Sequence, residues 1–166
     1  MTRSLPLAAL ALASALVLAA CGSSGSSGTS SSTTSSTAAT ATSSPRPASL
    51  VATKTTSLGT FLVDAKGRAL YLWDADHGSK STCSGACAQA WPPLTTTTTP
   101  KASGAVKASL LGTTTRADGA REVTSAGHPL YYYEGDTMPG QITGQGSDSF
   151  GSPWWVVSPK GKAIQN

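Results

Sequence analysis

Short runs of β-forming residues, each bounded by a glycine turn, set the pattern of this chain from about residue 58 onward. Leu58-Gly59-Thr60-Phe61-Leu62-Val63 is followed by the turn Asp64-Ala65-Lys66-Gly67 and a second run over 69–73, which predicts a hairpin. Farther on, a strand over 108–115 meets another over 120–124 through Arg116-Ala117-Asp118-Gly119, whose Asp-Gly pair is a strong hairpin signal. The turn Ser125-Ala126-Gly127-His128 then leads into a run over 129–133. After a glycine-rich loop come Trp154-Trp155-Val156-Val157, the turn Pro159-Lys160-Gly161 and a short last strand near Ala163 and Ile164. Only residues 84–91 read as a helix, and a short one. Strands of this length at this spacing predict an all-β or β-rich fold.

Two of these runs carry the same pattern. Leu70-Tyr71-Leu72-Trp73-Asp74-Ala75-Asp76 returns sixty positions later as Leu130-Tyr131-Tyr132-Tyr133-Glu134-Gly135-Asp136, and the same offset pairs Val63 with Val123 and Gly67 with Gly127. The match predicts two hairpin-based repeats, about 55–94 and 108–158, packed across a pseudo-twofold because neither buries its sheet face alone. Along the first motif strand Leu70, Leu72 and Asp74 point one way and Tyr71, Trp73 and Ala75 the other. The four tryptophans and four tyrosines are the heavy core material of a chain otherwise rich in Thr, Ala and Gly.

The residues upstream have no such pattern. Residues 1–20 hold Arg3 as their only charge and then an apolar run, the form of a secretory signal peptide and too short for a membrane span. The stretch ends in Leu18-Ala19-Ala20-Cys21-Gly22, which resembles the lipobox of bacterial lipoproteins and implies a lipid on Cys21. Residues 21–50 start at that cysteine, and from Gly22 to Ser49 they are Ser, Thr, Gly and Ala with Pro45, Pro47 and a single charge, Arg46. Such a segment buries too little apolar surface to offset backbone ordering and reads as a flexible tether of roughly 30 Å root-mean-square span. Residues 51–166 then make one domain of ordinary size. Together these predict an envelope protein on the outer face of a bacterial cytoplasmic membrane, anchored by its lipid.

Charge changes the picture little. Twelve Lys and Arg stand against eight Asp and Glu, and the basic residues are scattered singly, which argues against a nucleic-acid footprint. Of three cysteines, Cys21 is assigned to lipid, leaving Cys83 and Cys87 as a pair whose default in an exported domain is a disulfide. On a regular helix this spacing separates the side chains beyond the ~3.8 Å between Cβ atoms that a disulfide prefers, so Cys83 is expected before the helix. The spacing and the missing histidine exclude covalent haem attachment, whereas a soft copper site with His77 stays open.

Asp74 and Asp76, with Glu134 and Asp136, are the candidate chemistry of the repeats. If the strand persists they share a face, and Asp74, Asp76 and His77 have a weak likeness to a calcium loop. The alternative is that Asp76 and Asp136 accept backbone N–H bonds in the turn ending each strand. No hydrolase, phosphate-binding or dinucleotide-binding motif is present, and no catalytic residue is assigned. In Gly144-Gln145-Gly146 the glycines read as backbone needed at positive φ.

Taken together, Cys21, the paired Tyr-x-aromatic-x-x-Asp motifs at Tyr71, Trp73, Asp76 and Tyr131, Tyr133, Asp136, the block Cys83-Ser84-Gly85-Ala86-Cys87-Ala88-Gln89-Ala90-Trp91-Pro92-Pro93, Asp118-Gly119, Gly144-Gln145-Gly146 and Trp155-Val156-Val157-Ser158-Pro159 resemble the predicted bacterial lipoproteins with a secreted repeat of unknown function. The likeness runs in order over 55–162. It implies a two-repeat extracytoplasmic domain and brings no established activity. The expected function is a non-enzymatic module binding a small ligand or another envelope protein, with no cofactor. A redox, copper, calcium or haem accessory using Cys83, Cys87 and exposed aromatics is the alternative.

Overall fold

The computed structural model describes residues 49–165, and the expected signal peptide, Cys21 and nearly all of the expected tether lie outside them. The chain is β-rich, with eight short strands and one short α-helix among the described residues. Strands β1 (Leu50–Thr56) and β2 (Gly59–Asp64) form an antiparallel hairpin, from Val51 opposite Asp64 to Thr56 opposite Gly59. The first strand goes unnoticed in the sequence because its Thr- and Ala-rich run continues the composition of the tether. A two-residue strand, β4 (Lys101–Ala102), adds parallel to β1. In the second half β5 (Leu111–Thr115) and β6 (Arg121–Ser125) form the hairpin that Asp-Gly predicts, and β7 (His128–Pro129) extends it. At its tip Gly119 takes φ 82°, and the Asp118 carboxylate accepts the Ala120 N–H at 2.9 Å.

The predicted hairpin between 58–63 and 69–73 forms differently. The chain does turn back, with Asp64 Oδ1 accepting the N–H groups of Lys66 and Arg68 at 2.8 and 2.9 Å. But β2 ladders with β1, while β3 (Tyr71–Trp73) pairs with β8 (Trp154–Val156) of the other half. The cause is an inserted residue. Val157 enters the mouth of the turn, giving its carbonyl to Leu62 N–H at 2.7 Å and its own N–H to the Leu70 carbonyl at 3.2 Å, and Leu70 N–H closes the ring on Leu62 at 3.0 Å. The second half repeats this with Leu94: Val123 N–H to Leu94 at 2.8 Å, Leu94 N–H to Leu130 at 2.8 Å, Leu130 N–H to Val123 at 2.9 Å. Each half therefore completes its backbone hydrogen bonding with the end of the other, as buried backbone groups require. On the axis between them, Tyr71 and Tyr131 exchange N–H···O bonds of 2.8 and 2.9 Å.

This pairing corrects the alignment of the halves. Leu62 corresponds to Val123 and Leu70 to Leu130, so the second turn is one residue shorter, and Val63 matches Thr124 rather than Val123. Phe61 consequently corresponds to Glu122.

Both faces of the first motif strand are covered. Tyr71 and Trp73 enter an aromatic core with Phe61, Trp91, Tyr131 and Trp154. Leu70 and Leu72 enter an aliphatic one with Val51, Leu62, Leu94, Val123, Leu130 and Val157. The alternation of the sequence thus sorts side chains between two cores rather than between core and solvent. Helix α1 (Ala86–Ala90) follows the first motif. Cys83 lies ahead of it and is joined to Cys87 by a disulfide with Cα atoms 5.3 Å apart.

Candidate functional site

The aromatic side chains of the two motifs meet across the pseudo-twofold as one column. Trp73 stacks on Trp154 at 5.1 Å, Trp154 on Trp91 at 4.0 Å, and Trp91 meets Tyr133 at 4.4 Å. Tyr71 and Tyr131 close its flanks edge-on, at 5.3 Å from Trp91 and 5.2 Å from Trp154. The close approach explains Gly144. Its φ is not positive, unlike that of Gly146, but a Cβ there would lie 2.6 Å from the Trp91 ring.

The acids of the motif are exchanged between the halves. Tyr71 donates its hydroxyl to Asp136 at 2.6 Å, and Tyr131 donates to Asp76 at 2.5 Å. The remaining oxygen of each carboxylate is held by a threonine. Asp76 accepts the Thr82 N–H and hydroxyl at 2.8 and 2.6 Å, and Asp136 accepts those of Thr143 at the same distances. The aspartates do accept backbone N–H bonds, but from a threonine six or seven residues on, with a tyrosine of the other half beside it. Burial, reinforced by the neighbouring carboxylates, pushes both hydroxyls well above the ordinary tyrosine range and keeps them neutral donors.

The first acid of each motif lies elsewhere. The strand stops at Trp73, so Asp74 and Asp76 do not share a face: Asp74 is exposed and accepts the Trp155 indole N–H at 2.9 Å, while Asp76 is buried. Glu134 is exposed and 3.8 Å from Arg68, and His77 is exposed. Among the described residues no three His, Cys, Asp or Glu side chains converge as a metal-binding group.

The halves differ around the tyrosine hydroxyls. Tyr71 takes a hydrogen bond from the Gly144 backbone. Tyr131 instead meets Ser81 Oγ at 2.7 Å, and Arg116 donates to that same oxygen. Since Tyr131 gives its only proton to Asp76, the order of donation is Arg116 to Ser81 to Tyr131 to Asp76. Arg116 also donates to Glu122 at 2.8 Å and to the Cys83 carbonyl, and its Nε lies 3.5 Å from Asp118. Arg116 and Glu122 are both buried, in the half whose counterpart position is filled by Phe61. Burial drives the Glu122 carboxyl upward to about 7 against the opposing pull of Arg116. Its Oε1 has no hydrogen-bond partner. For Arg116 burial works against the charge, but the Glu122 carboxylate outweighs it and holds the guanidinium above its usual range.

This chain of groups reaches a groove. This groove of about 580 Å³ is lined by Lys80, Ser81, Thr82, Ser84 and Cys83 on one wall and by Arg116 and Asp118 on the other. The disulfide and α1 hold the first wall, and the β5–β6 turn forms the second. The site so defined belongs to a two-repeat, β-rich domain with an exchanged aromatic and carboxylate core and a groove lined by Ser81 and Arg116. A model of the family described as a secreted repeat of unknown function matches residues 52–95 and again 112–158, and the chain belongs to that family. No curated protein and no solved structure matches it.

Sequence reasoning brought the motif tyrosines and aspartates forward and missed Arg116, Glu122, Ser81, Thr82 and Thr143. The one-residue difference in turn length hides the pairing of Phe61 with Glu122. The two threonines follow their aspartates at unequal spacing, so no common pattern marks them.

Proposed function

We propose that this chain is an extracytoplasmic envelope protein held by a lipid on Cys21 at the outer face of the bacterial cytoplasmic membrane. Its two-repeat part acts as a non-enzymatic binding module that takes a small polar ligand in the groove between Ser81–Ser84 and Arg116–Asp118. The observation that carries this reading is the buried Arg116–Glu122 pair. A buried ion pair is weak support for stability, and apolar replacement is often neutral or stabilising by about 1–4 kcal/mol. The other half of the same fold fills the equivalent position with Phe61, so the architecture does not require charge there. A strongly perturbed acid beside a groove is the kind of group that function retains. Both cysteines of the disulfide are buried, which supports a bond that holds the groove wall rather than one that cycles.

Native mass spectrometry of the mature protein taken from its own envelope tests this. A bound small molecule is expected on the native chain and is expected to be lost in the double variant Arg116→Met/Glu122→Phe, which should melt no lower than the native protein. No bound species, or one that survives the double variant, would overturn the groove as the site. The intact mass also reports whether Cys21 carries acyl chains.

A further inference from the structure

All eight acidic residues lie between 64 and 148, and the stretches 77–117 and 149–165 contain none. These two acid-free stretches meet in a second groove of about 480 Å³, lined by Ala105, Lys107, Leu110, Pro159 and Lys160. Lys107 and Lys160 are exposed, and neither forms an ion pair among the described residues. The chain enters the domain on the same side. The Ser49 carbonyl, where the tether ends, accepts the N–H of the equally exposed Lys101, and the Val51 carbonyl accepts that of Ser103, two residues before the groove begins.

We propose, resting on the lipid anchor of the preceding reading, that this lysine-flanked groove is the face by which the domain docks on anionic phospholipid headgroups of the membrane carrying its anchor. Two observations choose that occupant. Only 27 residues separate Cys21 from Ser49, which keeps the domain within reach of the surface. It arrives beside the groove, so a domain drawn down by its tether presents this side. The flanking ammonium groups, with no carboxylate in either stretch, complement an anionic surface, and their attraction operates within a Debye length of about 8 Å at physiological salt. The apolar lining of Ala105, Leu110 and Pro159 fits the boundary just beneath the headgroups.

The test is hydrogen exchange followed by mass spectrometry on the full lipidated protein, reconstituted in vesicles of phosphatidylcholine alone or mixed with phosphatidylglycerol. Peptides over 101–111 and 158–164 should exchange several-fold more slowly on the anionic vesicles only. High salt should remove the protection, and so should Lys107→Glu/Lys160→Glu, whose exposed side chains leave the core intact. Equal exchange on both lipids, or protection that survives the double variant, overturns the docking face. If the intact mass shows Cys21 acylated and these peptides unprotected, only this inference falls. If Cys21 carries no lipid, the anchor reading falls and takes this one with it.

Discussion

Phe61 and Glu122 occupy the same position in the two halves of this domain, and both are completely buried. Phe61 lies in the aromatic core with Tyr71, whose hydroxyl oxygen is satisfied by the Gly144 backbone. Glu122 is paired to Arg116 on the side of Tyr131, whose hydroxyl is satisfied by Ser81 and leads through Arg116 to the groove. The common features of the halves are the tyrosine, the exchanged aspartate, the supporting threonine and the inserted Leu94 or Val157. Those account for the fold. The features that differ collect at that groove, and they include a buried acid that costs stability. Duplication thus supplies an internal control: one half shows what the architecture needs, and the excess in the other marks the site.

The comparison can be broken most severely by moving the charge. Phe61→Glu places a carboxylate in the aromatic core, where the cross-strand neighbour Lys54 already gives its ammonium to the Pro139 carbonyl. An unpaired buried charge is expected to cost about 3–5 kcal/mol, enough to unfold much of the protein, as read by urea denaturation and near-UV circular dichroism. Retention of native stability would mean that the halves are not interchangeable as aligned here.

The next effect is a pH dependence confined to the second half. Glu122 holds its proton more tightly folded, at about 7, than at its ordinary value of 4.5. Its contribution to stability is therefore complete below pH 4.5 and is lost as pH rises through 7, on the order of 3 kcal/mol across the window. Urea midpoints measured from pH 4.5 to 8 should fall with rising pH in the native protein and stay flatter in Glu122→Gln. An equal slope in that variant would assign the dependence to another group.

The smallest effect tests what the halves share. Asp76→Asn and Asp136→Asn each weaken a hydrogen bond from a buried tyrosine and the hold on a threonine, with an expected loss of about 1–3 kcal/mol apiece. Coupling in the cycle Tyr131→Phe with Asp76→Asn should match that of Tyr71→Phe with Asp136→Asn, whereas Tyr131→Phe with Asp136→Asn should be nearly additive. Coupling within the motifs, Tyr71 to Asp76, would contradict the exchange.

Much of this architecture is legible along the chain. Alternation and glycine turns mark most strands, although β1 merges with the composition of the tether. The doubled Tyr-x-aromatic-acid-x-Asp announces two halves, and the spacing of Cys83 and Cys87 places the first cysteine ahead of its helix. The register of the halves is harder to read, because a turn shorter by one residue shifts every position before it and hides Phe61 behind Leu62 in the comparison with Glu122. The acids are misread for a related reason: treating Asp74 and Asp76 as strand neighbours assumes a strand that stops at Trp73.

By itself the sequence determined that the chain folds into two β-rich halves, that the motif aromatics are buried, and that its paired cysteines suit a local disulfide. Those features follow from side-chain period, turn chemistry and short-range geometry, all settled within a few residues. The tertiary structure alone decided that each tyrosine serves the aspartate of the other half, that Val157 and Leu94 complete each other's hairpins, and that Glu122 is enclosed beside Arg116. These depend on which donors and acceptors remain unpaired once each hairpin opens, and groups on different halves of the chain answer that only when the halves are in place.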